Sequence, residues 1–350
     1  MPIKIIAAGA GSGKTYRITD ELVQKLASGS AKPSGIIATT FTNAAAAELK
    51  DRVKQKLLES NKATLATEVA ASMIGTVHSI GIRLIKRFAF EAGVSPEINI
   101  LDANEESAFF NQSIANILTD ESIEKLNFLS KILGFTKSGD ADWRKDILTI
   151  SNYIRQNNFD ESTILYSKNE SWESLKRLLP TPKMSLSNAK TQLEALLNNT
   201  IEAVQDINDV TNVTNECITY LKSILPDLQN DGFPWHQWVK ISKLKPAKKS
   251  LELFEELKQF AVNHIEIIEF QENIRDYIFE IFDIAQSALH QYQHYKGIRG
   301  LVDYTDMEVH ILNILKQPSV FNILKEELDL LVVDEFQDTS PLQLAIFLKL

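Results

Sequence analysis

The feature that most constrains the fold is a glycine-rich segment at residues 8–15, which follows a β-rich run at residues 4–7 and ends where a helical run begins. Small residues let such a loop curl, so that several backbone N–H groups point at one anion. The positive end of the following helix adds to that attraction. The pattern is that of a phosphate-binding loop, with alanine at the first position where the strict form has glycine. We therefore predict a nucleotide site formed by Ala8, Gly9, Ala10, Gly11, Ser12, Gly13, Lys14 and Thr15. A glycine-rich strand-to-helix turn without a ligand is the alternative.

A second motif, near the other end of the chain, supplies the carboxylates that the phosphate-binding loop lacks. Four apolar residues at 330–333 precede Asp334 and Glu335, as expected for a buried parallel strand that delivers two carboxylates to its carboxyl end. We expect Lys14 to reach the β- and γ-phosphates of ATP, with Thr15 and Asp334 holding Mg²⁺. Glu335 is placed to orient and deprotonate the attacking water. Taken alone, an Asp–Glu pair after a strand is often only a solvated loop.

The spacing of apolar residues differs between the two ends of the chain and its middle. Residues 1–90 and 301–350 alternate short β-rich runs with helical runs, which predicts an α/β domain with a parallel sheet and helices on both faces. Within it, a strand is expected at residues 73–77, and Asn43 is the predicted N-cap of the helix that follows residues 36–40. Residues 91–300 show helical spacing almost throughout, so we predict an all-helical subdomain inserted into the first domain.

Composition bounds the class of protein. The formal net charge of −9 argues mildly against nucleic acid, because phosphate binding favours lysine and arginine, although a groove can concentrate the basic residues. A single cysteine, Cys217, excludes an internal disulfide framework and is expected to be a small core residue. No apolar run is long enough to span a bilayer, and we expect a cytoplasmic protein without a membrane partner.

Four segments, which occur along the chain in the family's order, resemble the UvrD/Rep DNA helicases of superfamily 1. Residues 334–339 resemble motif II of that family, and residues 340–343 are similar to its RecB/AddA branch, whose members are helicase–nucleases. Residues 40–49 resemble motif Ia, and residues 75–79 resemble the DNA-contact motif that follows it. Residues 303–306 resemble the acidic patch at which the family's chain re-enters the motor domain.

The resemblance implies a RecA-like P-loop fold and an ATP-dependent DNA helicase that moves on single-stranded DNA and unwinds duplex DNA. The implied catalytic residues are Lys14, Glu335 and Gln337, the last as a sensor of the γ-phosphate. The implied DNA-binding residues are Thr40, Phe41, Thr42, Asn43, Thr76 and His78, with Phe41 stacking on a base. For Phe41 the alternative is packing in the core, and for His78 it is a hydrogen-bonded structural role.

The same resemblance implies a second motor domain and partner subunits of a helicase–nuclease complex. Because ATP would bind between two motor domains, we expect residues 1–350 alone to bind nucleotide weakly and to hydrolyse it poorly. Two other classes of function stay open: a P-loop ATPase or nucleotide kinase that does not act on nucleic acid, and a non-catalytic scaffold. The four residues Lys14, Thr15, Asp334 and Glu335 argue against a scaffold, which has no physical need for all of them.

Two weaker patterns lie in the helical region. Residues 235–249 interleave two tryptophans with five lysines, which is typical either of a solvated lysine face or of a surface that grips duplex DNA. His290 and His294 stand four apart, as zinc ligands on a helix do, but no third ligand is evident.

Overall fold

The computed structural model describes residues 3–6, 13–95, 97, 99–135, 142–228, 230 and 232–350. The chain divides into two compact units. The first consists of Met1–Phe109, Arg155–Asn158 and Gln293–Leu350, and the second of Phe110–Ile154 and Phe159–Tyr292. The domain boundaries predicted from the sequence, after residue 90 and before residue 301, stay a prediction.

The first unit is built on a small parallel sheet. The strands are β1 Ile36–Thr40, β2 Met73–Thr76, β3 Asn99–Ile100, β4 Leu301–Val302 and β5 Leu330–Val333. β1 lies between β2 and β5 and is parallel to both, while β3 and β4 form a separate parallel pair. In this register Thr40 lies beside Thr76, and Thr39 beside Val333, so the three strands end at one edge of the sheet.

Helices cover both faces of this sheet because alternate strand residues point to opposite sides. On β1, Ile36 and Ala38 join one apolar cluster, which includes Leu22 and Leu49. Ile37 joins the other cluster, with Leu84 and its neighbours. The helices of this unit are α1 Lys14–Ala27, α2 Asn43–Glu59, α3 Ala63–Glu68, α4 Val77–Arg87, α5 Ala89–Ala92, α15 Tyr304–Lys316, α16 Pro318–Glu327 and α17 Pro341–Lys349.

The strand expected at residues 4–7 is not observed. Residues 3–6 have no strand geometry, Ile3 and Ile5 are 82% and 88% exposed, and Ala7 lies outside the described residues. A β-rich run becomes a strand only where a neighbouring strand accepts its backbone hydrogen bonds, and the described sheet ends at β5. The expected strands at 73–77 and 330–333 are confirmed at Met73–Thr76 and Leu330–Val333.

A nine-helix series occupies the chain between β3 and β4, with no strand among its described residues. Its helices are α6 Ala103–Ile117, α7 Asp120–Leu133, α8 Trp143–Gln156, α9 Glu161–Lys176, α10 Leu186–Asp206, α11 Asn212–Leu228, α12 Trp235–Ser242, α13 Glu255–Val262 and α14 Ile268–Arg299. The second unit has its own apolar core, in which Trp235, Trp238 and Phe254 are buried. Cys217 is buried there as predicted, and burial raises the pKa of its thiol. Across the described parts of the chain, no helix has the length and apolar content needed to cross a membrane.

Candidate nucleotide site and the adjoining strand ends

The nucleotide site starts at the N-terminus of α1. Gly13 precedes this helix with φ 80° and ψ 26°, a left-handed conformation that glycine adopts without a steric penalty. The first turn of α1 carries no acidic side chain, so nothing within the helix neutralises the positive end of its dipole. Lys14 and Thr15 are therefore positioned by a helix end suited to an anion. Ala8, Gly9, Ala10, Gly11 and Ser12, which complete the predicted loop, lie outside the described residues.

Two carboxylates face Lys14 from the end of β5. The Nζ of Lys14 lies 2.5 Å from an oxygen of Glu335 and 4.0 Å from Oδ1 of Asp334. The backbone N–H of Asp334 donates to the carbonyl of Thr39 at 3.0 Å, which continues the pairing with β1 by one residue. The fold thus brings together two segments that lie more than three hundred positions apart in the sequence.

Glu335 has an unusual backbone conformation for its residue type. Its φ of 53° and ψ of 41° place it in the left-handed region, which non-glycine residues rarely occupy. Such conformations cost roughly 1–3 kcal/mol and persist only where the surroundings fix them, often at functional sites. Here the strand pairing of Asp334 on one side and the 3₁₀ turn Phe336–Asp338 on the other hold the residue.

Lys14 and Glu335 each change the pKa of the other. The hydrogen bond to Glu335 raises the pKa of Lys14, and the same bond, followed by one from Gln337, lowers the pKa of Glu335. Gln337 donates its side-chain N–H to the second oxygen of Glu335 and, at 3.3 Å, to Asp338. Each charged form is therefore favoured by its neighbours, and the carboxylate of Glu335 is shared between a cation and an amide.

The donor atoms suit a small divalent cation. Mg²⁺ binds through one or two protein oxygens and completes its shell with phosphate oxygens and water. Asp334 offers a partly exposed carboxylate beside Lys14, and Thr15 offers a hydroxyl on the first turn of α1. No group of three or more His, Cys, Asp or Glu side chains able to hold a metal occurs among the described residues.

The predicted DNA-binding residues follow the neighbouring strand ends. Phe41 is 73% exposed, so the alternative that it packs in the core is wrong, whereas Thr40 is buried and donates to the carbonyl of Thr42 at 3.0 Å. Thr42 caps α2 by accepting from Ala45 N–H, and it replaces Asn43 as the cap because Asn43 is already the first helical residue. Thr76 caps α4 in the same way, accepting from the backbone N–H of the residue three positions later.

His78 is held on two sides by α15. Its ring stacks on Tyr304, with 4.3 Å between the ring centroids and 29° between the planes. Its Nε2 lies 3.5 Å from Oε1 of Glu308. His78 is 40% exposed at the side chain, so it combines a structural contact with an accessible edge. Sequence reasoning missed Glu308, and the signal that locates it is the spacing of four from Tyr304, which puts both on one face of a helix.

The acidic patch at residues 303–306 forms a buried ion cluster. Asp303 is fully buried, and its Oδ2 lies 2.5 Å from Arg155 and 2.6 Å from Lys296. Arg155 also pairs with Glu106 at 2.7 Å, and Lys296 with Asp306. Burial opposes the charged form of Asp303, but the two cations hold the pKa of its carboxyl below the usual value.

The weaker patterns have structural explanations. Trp235 and Trp238 are buried in the core of the second unit, so the tryptophans of residues 235–249 offer no stacking surface to a base. Of the lysines, Lys240 lies over the ring of Tyr220 at 3.9 Å, and Lys249 donates to a carbonyl at 2.7 Å. His290 lies 3.8 Å from Glu161 on an exposed surface.

A parallel sheet between two helical layers is consistent with a P-loop fold, as are an α1 that starts with Lys14 and a strand that ends in two carboxylates facing that lysine. Within the class of P-loop proteins, the sequence matches one particular family. The chain matches the UvrD/REP helicase N-terminal domain over residues 2–350 and belongs to that family.

Its relatives include several proteins named as a subunit of an ATP-dependent helicase/nuclease. The chain is 21% identical to the one from Natranaerobius thermophilus, over 99% of this chain and 31% of the relative. It is 24% identical to the one from Listeria monocytogenes, over 97% of this chain and 31% of the relative. It is also 24% identical to the one from Clostridium kluyveri, again over 97% and 31%. The chain therefore spans about a third of the length of these relatives.

Proposed function

We propose that this chain is the ATP-binding part of an ATP-dependent DNA helicase, which couples ATP hydrolysis to movement on single-stranded DNA and to unwinding of the duplex. One observation carries the proposal. The carboxylates Asp334 and Glu335, which face Lys14, follow β5, and the exposed Phe41 and the capping Thr42 follow the adjacent β1; Thr76 ends β2 at the same edge of the sheet. A conformational change at the nucleotide is then only one strand away from the residues that would meet DNA.

The proposed roles follow the contacts. Lys14 leaves Glu335 and binds the β- and γ-phosphates, while the backbone of residues 8–13 surrounds them. Once it has separated from Lys14, Glu335 orients and deprotonates the attacking water. Gln337, which donates a hydrogen bond to Glu335, senses the γ-phosphate. Thr15 and Asp334 hold Mg²⁺, which neutralises charge on the phosphates when it is bound. Phe41 stacks on a base, and Thr42, Asn43, Thr76 and His78 contact the strand around it, while the buried Thr40 supports Thr42 through its hydrogen bond.

The rest of the chain and the rest of the protein have proposed roles as well. We take residues 91–300 to be a helical subdomain inserted into the motor domain, because the second compact unit, Phe110–Ile154 and Phe159–Tyr292, lies in the sequence between β3 and β4. Since the relatives are named as subunits of a helicase/nuclease, we propose that the complete protein works with partner subunits. ATP hydrolysis by residues 1–350 alone is expected to be weak.

The test is ATP hydrolysis by the complete protein, measured with and without a thymidine oligonucleotide. We expect the oligonucleotide to stimulate the rate, and Lys14→Ala to lower it by about a hundredfold or more, because a cation that meets developing charge is lost. Lys25→Ala removes an exposed lysine from the last turn of the same helix and should behave as the wild type. A rate indifferent to DNA would favour a P-loop enzyme that acts on other substrates. An unaffected Lys14→Ala protein would favour a scaffold.

A second measurement addresses DNA contact. Loss of one stacked base costs about 1–3 kcal/mol, so Phe41→Ala should raise the oligonucleotide concentration for half-maximal binding by roughly fivefold to a hundredfold. Phe90 is the matched control, since its ring is 91% exposed on α5 of the same unit. Equal effects of Phe41→Ala and Phe90→Ala would remove Phe41 from the DNA site.

A further inference from the structure

Glu308 is a carboxylate placed inside an apolar core. It is 6% exposed, and its neighbours along α15 include the buried Met307 and Ile311. A buried carboxylate is costly unless it is paired and hydrogen-bonded. Within the part of the chain that the structure describes, the ion pairs of Glu308 involve His78 and no lysine or arginine. A residue that served only to fill this space could be apolar, so the charge needs an explanation.

The contacts of Glu308 join two segments with different proposed roles. Its Oε1 accepts from the side-chain amide of Gln343 at 2.6 Å, and its Oε2 accepts from the hydroxyl of Ser340 at 3.5 Å. The same Oε1 lies 3.5 Å from Nε2 of His78 on α4. Ser340 and Gln343 start α17, which follows the nucleotide-site residues, while His78 belongs to the proposed DNA-binding set.

Local hydrogen bonds hold the segment from Glu335 to Gln343 at both of its ends. Gln337 donates to Glu335 from within the 3₁₀ turn Phe336–Asp338, and only Thr339 lies between that turn and Ser340. Ser340 and Gln343 form a reciprocal capping box. The side-chain oxygen of Gln343 accepts from the backbone N–H of Ser340, and its side-chain N–H donates to Glu308. A displacement of Glu335, when Lys14 turns to phosphate, therefore reaches Gln343 through the backbone of the 3₁₀ turn and Thr339, and then through the capping box.

The other end of the connection is equally constrained. Tyr304 and Glu308 are four residues apart on α15 and hold His78 by ring stacking and by the 3.5 Å contact between Nε2 of His78 and Oε1 of Glu308. Close packing of α4 on α15 makes this possible, because a Cβ on Gly81 would lie 2.6 Å from Cδ1 of Ile311. The imidazole thus cannot follow α4 without also responding to α15 and to the carboxylate.

From this arrangement we propose that Glu308 is a positioning residue that links the nucleotide state, through Ser340 and Gln343, to the orientation of His78 at the DNA site. The inference rests on the proposed function and deepens it by naming a route between the two sites. By linkage, a residue on such a route sets how much a bound nucleotide changes the affinity for DNA, as well as the converse. Typical couplings of this kind correspond to changes in affinity of about 5- to 150-fold.

The experiment measures that coupling in the complete protein. The dissociation constant for a fluorescent thymidine oligonucleotide is determined with and without a β,γ-imido analogue of ATP, and the ratio of the two constants is the coupling factor. Glu308→Gln keeps the shape but removes the charge, and we expect it to move the factor at least fivefold toward one. Glu326→Gln makes the same change at an exposed site on α16 and should keep the wild-type factor.

A merely structural role gives a different result, because a loosened fold weakens both constants together and leaves their ratio unchanged. The route is tested by the double variant Glu308→Gln/His78→Gln, whose factor should equal that of His78→Gln alone. Multiplicative effects, or a wild-type factor in Glu308→Gln, would overturn the inference while the proposed function stands. A wild-type protein whose ATP hydrolysis ignores DNA would instead overturn the proposed function, and the inference with it.

Discussion

Asp303 offers the sharpest test of how the first unit is held together. Its two oxygens have separate partners: Oδ1 accepts from the backbone N–H of Asp306 and caps α15, while Oδ2 faces Lys296 and Arg155. Asparagine has a single side-chain oxygen. In Asp303→Asn, therefore, either the cap is lost, or an N–H₂ group is turned toward two buried cations.

The magnitude follows from burial. Removing one partner of a buried ion pair costs about 3–5 kcal/mol, because an incompletely compensated charge stays out of water. Asp303 is fully buried and Lys296 is 1% exposed, so solvent cannot replace the lost carboxylate. Lys296 keeps Asp306 and Arg155 keeps Glu106, which places the expected loss toward the lower end of that range.

The assay is hydrogen exchange of the α15 amides, read by mass spectrometry, because tryptophan fluorescence would report on the second unit, where all four tryptophans lie. The matched control is Asp160→Asn at the start of α9. There the cap bond and the bond from Ser162 both end on Oδ1, so the asparagine oxygen can replace it in an exposed setting. If Asp303→Asn reduced the protection of α15 no more than Asp160→Asn reduces that of α9, the reasoning from the buried charge would be refuted.

Three further outcomes are expected. Gly81→Ala should destabilise the first unit by up to about 2 kcal/mol, since overpacking costs about 1–3 kcal/mol and the gain in helix propensity returns about 1 kcal/mol. In a urea titration, Ile311→Val should restore part of that loss by removing the methyl group that would lie 2.6 Å from the new Cβ. Glu335→Gln should tighten binding of a fluorescent ATP analogue, because Lys14 loses its charged competitor, while phosphate release falls by at least about a hundredfold. Because the folded pKa of Asp303 is lowered, its stabilisation is complete above about pH 4 and is lost as the pH falls through the folded value, so urea titrations of the wild type and Asp303→Asn should converge in acid.

The meeting of Lys14 with Asp334 and Glu335 was predictable because each of the two segments shows a short local pattern. Lys14 follows small residues at a strand-to-helix junction, and Asp334 and Glu335 follow four apolar residues, so both segments are readable from short patterns. Their meeting required only that two parallel strands end at the same edge. The left-handed backbone of Glu335 was not predictable, since it arises from strand pairing on one side and a 3₁₀ turn on the other.

The features that the sequence left open or did not reveal have equally physical causes. The run at residues 4–7 has the composition of a strand, but composition does not supply a hydrogen-bonding neighbour. Trp235 and Trp238 alternate with lysines in the sequence, yet α12 turns the rings inward while Lys240 stays at the surface. Glu308 escaped notice because its partners, His78 and Gln343, come from distant parts of the chain and only packing brings them together.

The net charge of −9, which argued against nucleic acid, is offset at the sheet edge by the backbone itself. At this edge, α2 and α4 start just after β1 and β2, and α17 starts after the 3₁₀ turn that follows β5. The start of α1 lies there too, because Lys14 contacts Glu335. None of these four helices has an acidic residue in its first turn. Each uncompensated N-terminus contributes roughly half a positive charge and free N–H donors, with only some of those donors used by the capping side chains. An acidic protein can thus present an edge attractive to the phosphates of ATP and of a DNA strand without a surplus of lysine or arginine, which is why overall charge is a weak guide to the ligand here.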